Sequence, residues 1–269
     1  MPAPDPTDVV RVERDAIAYL GLMANVAARF DLPVEFPNES APTHVAGLNI
    51  HGLVIDNADG EILALERNTI HADGSPLQHG EQRALRSAIA RVAIKRPRAG
   101  NQAIEGYYRS RMFMGPGTGA ADWVNVGATL YTTLESCPMC ATTLLVSRMK
   151  RTVFLLADAK YGGTWQLVKD RCYPKDEAHY AQWSVTAGLS PFTDQVAGLY
   201  ATVIAKTDAL RAKGIRDTHL LDFCRDEALT AFDLLRRIAP ADLTSVANGD
   251  ARNATSVGGL QSRLGMAVA

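Results

Sequence analysis

The sequence has little that would commit it electrically or covalently. Four cysteines in 269 residues are too few for a disulfide framework, so a reducing, cytoplasmic setting is the expectation. The formal net charge of −1 gives no global attraction to nucleic acid or an anionic membrane, though a local basic patch stays open. No apolar run reaches the length of a membrane span, and the opening MPAPDPTDVVRVERD lacks the basic-then-apolar order of a secretory signal. No internal repeat is visible. What is present is ordinary for a globular chain: 47% apolar and 21% charged residues, with length for one large domain plus additions.

Residues 1–43 read as an N-terminal helix and a connector. From Asp8 to Phe30 the residues Val9, Val12, Ile17, Leu20, Met23, Ala24 and Ala27 recur at helical spacing, predicting an amphipathic helix against the core or a partner subunit. Pro33, Pro37 and Pro42 mark the connector. Val45–Asp56 and Glu61–Arg67 flank Asn57-Ala58-Asp59-Gly60, a hairpin signal. A loop leads into HGEQRALRSAIARVAIK, where Leu85, Ala88, Ile89 and Val92 share a helical face.

Residues 98–126 are irregular around Gly115-Pro116-Gly117-Thr118-Gly119. VGATLYTTL reads as a strand, Pro138–Met149 as a helix and RTVFLLAD as a further strand. Helices follow around 194–213 and 217–237, within an expected helical extension at 167–243. Residues 244–269, rich in Gly, Ser, Ala and Asn, read as a mobile tail. Strands alternating with helices predict a layered α/β fold.

Chemistry concentrates at two loop-to-helix junctions, His79-Gly80-Glu81 and Cys137-Pro138-Met139-Cys140. Helix starts favour negative charge and lower a thiol's pKa. Pro138 suits a first helical turn. Two cysteines and one imidazole give three ligands and leave a tetrahedral position open, the pattern of a catalytic rather than a structural zinc. Glu81, two residues from His79, stands within reach of the open position and is placed to carry protons. A redox pair would need a thioredoxin-like pattern, absent here, and a structural zinc would need a fourth ligand of comparable spacing.

With both motifs in this order, the chain resembles the zinc-dependent cytidine deaminase-like superfamily, whose signature is H-x-E followed by P-C-x-x-C. The strings LVIDNADGEILALERN, HGEQRAL, TLESCPMC and DAKYGG are similar to the branch holding guanine deaminases and transfer-RNA adenosine deaminases. The resemblance spans about residues 44–166 and implies a three-layer α/β/α fold with a central mixed sheet, decorated by extra N- and C-terminal helices. It implies zinc held by His79, Cys137 and Cys140, with Glu81 as the proton shuttle. Asn68 matches the asparagine that hydrogen-bonds the substrate ring. Trp165 follows the last core strand, where the family places pocket-closing residues, and stands open between ring stacking and plain packing.

Three positions depart from the family pattern. Gly80 replaces a common alanine, which is expected only to loosen packing. Ser136 replaces a proline, leaving the backbone less fixed. The gap between Glu81 and Cys137 is long, so 98–126 is expected as an insertion shaping the pocket.

The function implied is hydrolysis of a C–N bond in a cyclic amidine. The chain would convert the exocyclic amine of a small purine-like base or nucleoside, such as guanine, to the oxo form in purine metabolism, as a homodimer. Deamination of adenosine in transfer RNA is the second reading, mildly disfavoured by the charge balance. A decayed, zinc-stabilised interaction module is the third.

Overall fold

A computed structural model describes residues 6–34, 43–95, 127–172, 178–184 and 188–266. The expected insertion at 98–126 lies outside the described residues.

A five-stranded mixed sheet organises the chain in the order β4-β3-β5-β6-β7. Its strands are β3 (His51–Asp56), β4 (Ile62–Arg67), β5 (Ala128–Leu134), β6 (Arg151–Leu156) and β7 (His179–Gln182). The hairpin β3–β4 and the pair β3–β5 are antiparallel, while β5–β6 and β6–β7 are parallel. A short antiparallel ladder, β1 (Pro33–Val34) with β2 (Thr43–His44), precedes them. The expected hairpin forms, but its first strand begins at His51 rather than Val45.

Side chains alternate across the sheet as the pleat requires. Leu53, Ile55 and Tyr131 face one apolar cluster with α1 (Pro6–Ala28). Val54 and Leu130 face another, with Ala84, Leu85 and Ala88 of α2 (Gly80–Lys95) and Leu144 of α3 (Pro138–Val146). Helix α4 (Thr164–Cys172) packs beside α3. On the α1 side lie α5 (Pro191–Ala212), α6 (Arg225–Arg237), the single turn α7 (Thr244–Ala247) and α8 (Arg252–Arg263). The layers are therefore helix, sheet and helix, as the resemblance implied.

The structure differs from the sequence expectations at three elements. Helix α1 packs on the core, and its enclosure extends beyond one face: Val9 to Val26 is buried nearly throughout, between the sheet and α6. Its polar residues are internally paired. The Asp15 carboxylate accepts from both Arg151 guanidinium nitrogens at 2.6 and 2.8 Å and from the Tyr131 hydroxyl at 2.7 Å.

Residues 244–266 are helical and packed rather than a loose tail. The buried Glu13 carboxylate accepts from the Thr244 amide at 2.5 Å and the Ser245 amide at 3.1 Å, capping α7. Leu260 and Val257 of α8 join the α1 core.

The extension at 167–243 also contains β7, a short, half-exposed strand without a clear alternating signal. The helix expected over 217–237 is split at Cys224 into a 3₁₀ segment, Asp217–Phe223, and α6.

Candidate active site

The two sequence motifs meet. Helices α2 and α3 begin on the same side of the sheet, at the edge where β3 starts and β4 and β5 end. His79 immediately precedes α2, and Cys137 is the N-cap of α3, extended at φ −64° and ψ 168°, with Pro138 as the first helical residue. The Sγ atoms of Cys137 and Cys140 each lie 3.6 Å from His79 Nδ1. One ligand atom from each residue falls within 4.8 Å of the others.

Two glycines permit this approach. A Cβ on Gly80 would stand 2.6 Å from the Ile50 carbonyl, and one on Gly52 would stand 2.8 Å from the Gly80 carbonyl. Gly80 therefore does not loosen packing, as the family comparison suggested; it lets the metal-motif helix start directly against β3.

Glu81 is 3% exposed, and its Oε2 has no hydrogen-bond partner. Burial pushes its carboxyl up to about 7, against the opposing pull of its own backbone N–H and His79. The Cys137 thiol is held down to about 4 by a hydrogen bond from Cys140 and by His79. Cys140 is raised as the donor to that sulfur and by burial. His79 is raised by Cys137 against desolvation. Two sulfurs and an imidazole converging beside a dry carboxylate are soft and borderline donors, and they fit a zinc ion.

Asn68 follows β4 and is fully buried. Its amide donates to the Ile50 carbonyl at 2.8 Å, beside Gly80. Its Oδ1 accepts from the Ile70 amide at 3.1 Å, while Nδ2 has no partner. The Thr69 amide donates to the Gln78 carbonyl at 3.0 Å, closing the loop that returns the chain from Asn68 to His79.

Trp165 is packed inside the protein. It is 3% exposed and stacked on Tyr180, with centroids 4.7 Å apart and planes 8° apart, against Ala141 and Leu145.

Three contributors escaped the sequence reading. Glu135, which precedes the cysteine motif, accepts from the amides of Asp158 at 3.2 Å and Gly163 at 2.9 Å, so it shapes the DAKYGG loop. Gln82 donates from Nε2 to Thr143 Oγ1 at 2.8 Å, clamping α2 to α3. Tyr180 accepts from the Ser136 amide at 3.0 Å. Only adjacency to HGE and CPMC hinted at Gln82 and Glu135; Tyr180 carried no signal.

Residues 44–156, less than half of the chain, match the family model described as the cytidine and deoxycytidylate deaminase zinc-binding region. The chain is 26% identical over 132 residues to a tRNA-specific adenosine deaminase of Aquifex aeolicus, covering 45% of this chain and 69% of that protein. It is 34% identical over 111 residues to a tRNA(Ile)-lysidine synthase of Deinococcus radiodurans, a match spanning 41% of this chain but only 14% of that protein. Among solved structures, a guanine deaminase from Nitrosomonas europaea aligns with a TM-score of 0.32 at 15% identity, over 58% of this chain and 72% of that one. Among the described residues, no helix is long and apolar enough to cross a membrane.

Proposed function

We propose that this chain is a zinc-dependent hydrolytic deaminase. It replaces the exocyclic amine of a small purine-like heterocycle, such as guanine, with oxygen and releases ammonia, acting as a cytoplasmic homodimer. The observation that carries this reading is the convergence of His79, Cys137 and Cys140 beside Glu81, a buried carboxylate with one oxygen unpartnered.

His79, Cys137 and Cys140 would hold the metal. Bound zinc supplies the Lewis acidity that makes water a nucleophile near neutral pH. Glu81 would carry one proton from the attacking water to a ring nitrogen, and then the remaining hydroxyl proton to the departing amine. The water oxygen ends on the ring carbon, and nitrogen leaves as ammonia. A carboxyl pushed up to about 7 suits a group that must both accept and donate near neutrality. Asn68 Nδ2, buried without an acceptor, would donate to the substrate ring and fix its register.

A panel of free aminopurines, aminopyrimidines and triazines, assayed for ammonia, tests this reading. Glu81→Gln should retain its zinc and lose about 10²- to 10⁴-fold in turnover. The match to the Aquifex aeolicus tRNA-specific adenosine deaminase supports a second reading equally well, with adenosine in transfer RNA as substrate. Inosine appearing in transfer RNA, with no turnover of any free base, would select it. Inertness toward every amine with zinc in place would instead leave a decayed interaction module.

A further inference from the structure

One other group of described side chains brings three metal-ligating atoms within 4.8 Å of one another: His44, His219 and Asp222. We propose that these residues bind a second divalent transition-metal ion, zinc by default, at a site separate from the His79, Cys137 and Cys140 cluster.

The argument starts at His44, whose side chain is fully enclosed. Its Nδ1 lies 2.9 Å from the Asp31 carbonyl oxygen. That oxygen can only accept, so Nδ1 carries a ring proton and leaves Nε2 as the atom aimed at Asp222. Nε2 lies 3.2 Å from Asp222 Oδ2. A contact that close between a ring nitrogen and a carboxylate oxygen needs a cation between them, a proton or a metal ion. His219 Nδ1 reaches the same Oδ2 at 3.0 Å, so two imidazoles converge on one anionic oxygen. Metal bonds of about 2.0–2.2 Å bridge such spacings with small side-chain adjustments.

The backbone and the supporting contacts also have the form of a ligand site. His219 and Asp222 are three apart on the 3₁₀ segment Asp217–Phe223, where positions i and i+3 eclipse and share a face. His44 is brought opposite them by the β1–β2 ladder, and its ring stacks on His219 with centroids 5.6 Å apart. Asn49 Nδ2 donates to Asp222 Oδ1 at 2.9 Å and to the Asp31 carbonyl at 3.0 Å. One amide thus orients both the carboxylate and the carbonyl that sets the His44 tautomer, the outer-shell support that ligating groups require. Two imidazoles and one carboxylate suit zinc or a first-row neighbour, and offer too few oxygens for calcium or magnesium. His219 is 25% exposed, leaving a solvent side for water to complete the coordination.

An ion here would tie the C-terminal 3₁₀ segment to β2. His71 Nδ1 lies 2.5 Å from the His44 carbonyl, so the tie extends to the loop that leads into His79.

Cobalt titration of the full-length, metal-stripped chain tests the site, because thiolate ligation produces a near-ultraviolet charge-transfer band and nitrogen–oxygen ligation does not. The wild-type chain should bind about two cobalt ions, only one of them contributing thiolate absorption. His219→Ala, at a partly exposed position, should lose about one ion and keep the thiolate band undiminished. Asp222→Asn should do the same. Equal cobalt content in wild type and His219→Ala, with all bound cobalt accounted for by the thiolate band, would overturn the proposal and leave His44–Asp222–His219 as a hydrogen-bonded charge cluster.

Discussion

Gly80 is a close-approach residue inside a helix start, and its substitution separates two opposing effects. Alanine would improve helix propensity by about 1 kcal/mol, yet its Cβ would sit 2.6 Å from the Ile50 carbonyl. Overpacking of that kind costs about 1–3 kcal/mol, so Gly80→Ala should lower the denaturation midpoint despite the propensity gain. Ser136 has a comparable role. A proline there removes the amide that donates to Tyr180 and should cost about 0.5–1.5 kcal/mol. In a Tyr180→Phe background that cost should vanish, which a double-mutant cycle reads directly. His79, Glu81, Cys137 and Cys140 were legible because few residue types perform their chemistry and the spacings are short. The partners of Ser136 and Glu135 were not, since they lie far along the chain: Tyr180 is 44 positions from Ser136, and Gly163 is 28 from Glu135.

At the scale of elements, the alternation of strands and helices identified the sheet and the two motif-bearing helices, because their apolar periods match their burial. Helix α1 broke the rule in an instructive way. Glu13, Arg14 and Asp15 are polar and almost wholly buried, so the polar side of this helix is an internal network. Asp15 has the sharpest consequence. Asp15→Asn would take away the carboxylate that pairs with the Arg151 guanidinium, which is 7% exposed. Removing one partner of a buried pair costs about 3–5 kcal/mol, far more than loss of an exposed pair such as Arg236–Asp233, worth about 0–1 kcal/mol. Urea denaturation of the two variants side by side should show that contrast. Strand β7 was missed for a different reason: four half-exposed residues at a sheet edge give too short a pattern to read.

The whole molecule carries an acid sensitivity that its near-neutral composition hides. His51 is fully buried and burial pushes its imidazole down to about 3, aided by Arg67 and Arg29. The unfolded chain binds that proton at a higher pH than the folded one. Stability from this group is therefore complete above about 6.5 and falls as pH drops from there toward 3, with a limiting slope of about 1.4 kcal/mol per pH unit. Urea midpoints between pH 7 and 4 should decline less steeply in His51→Gln than in the wild-type chain.

The enclosure of α1 also has a consequence for how the chain is made. Its partners α6 and α8 emerge from the ribosome roughly two hundred residues later, a delay of roughly ten to forty seconds at ordinary elongation speeds. Throughout that interval α1 can close only on the sheet and α5. The face of α1 that α6 and α8 cover therefore stays open until both helices have been made.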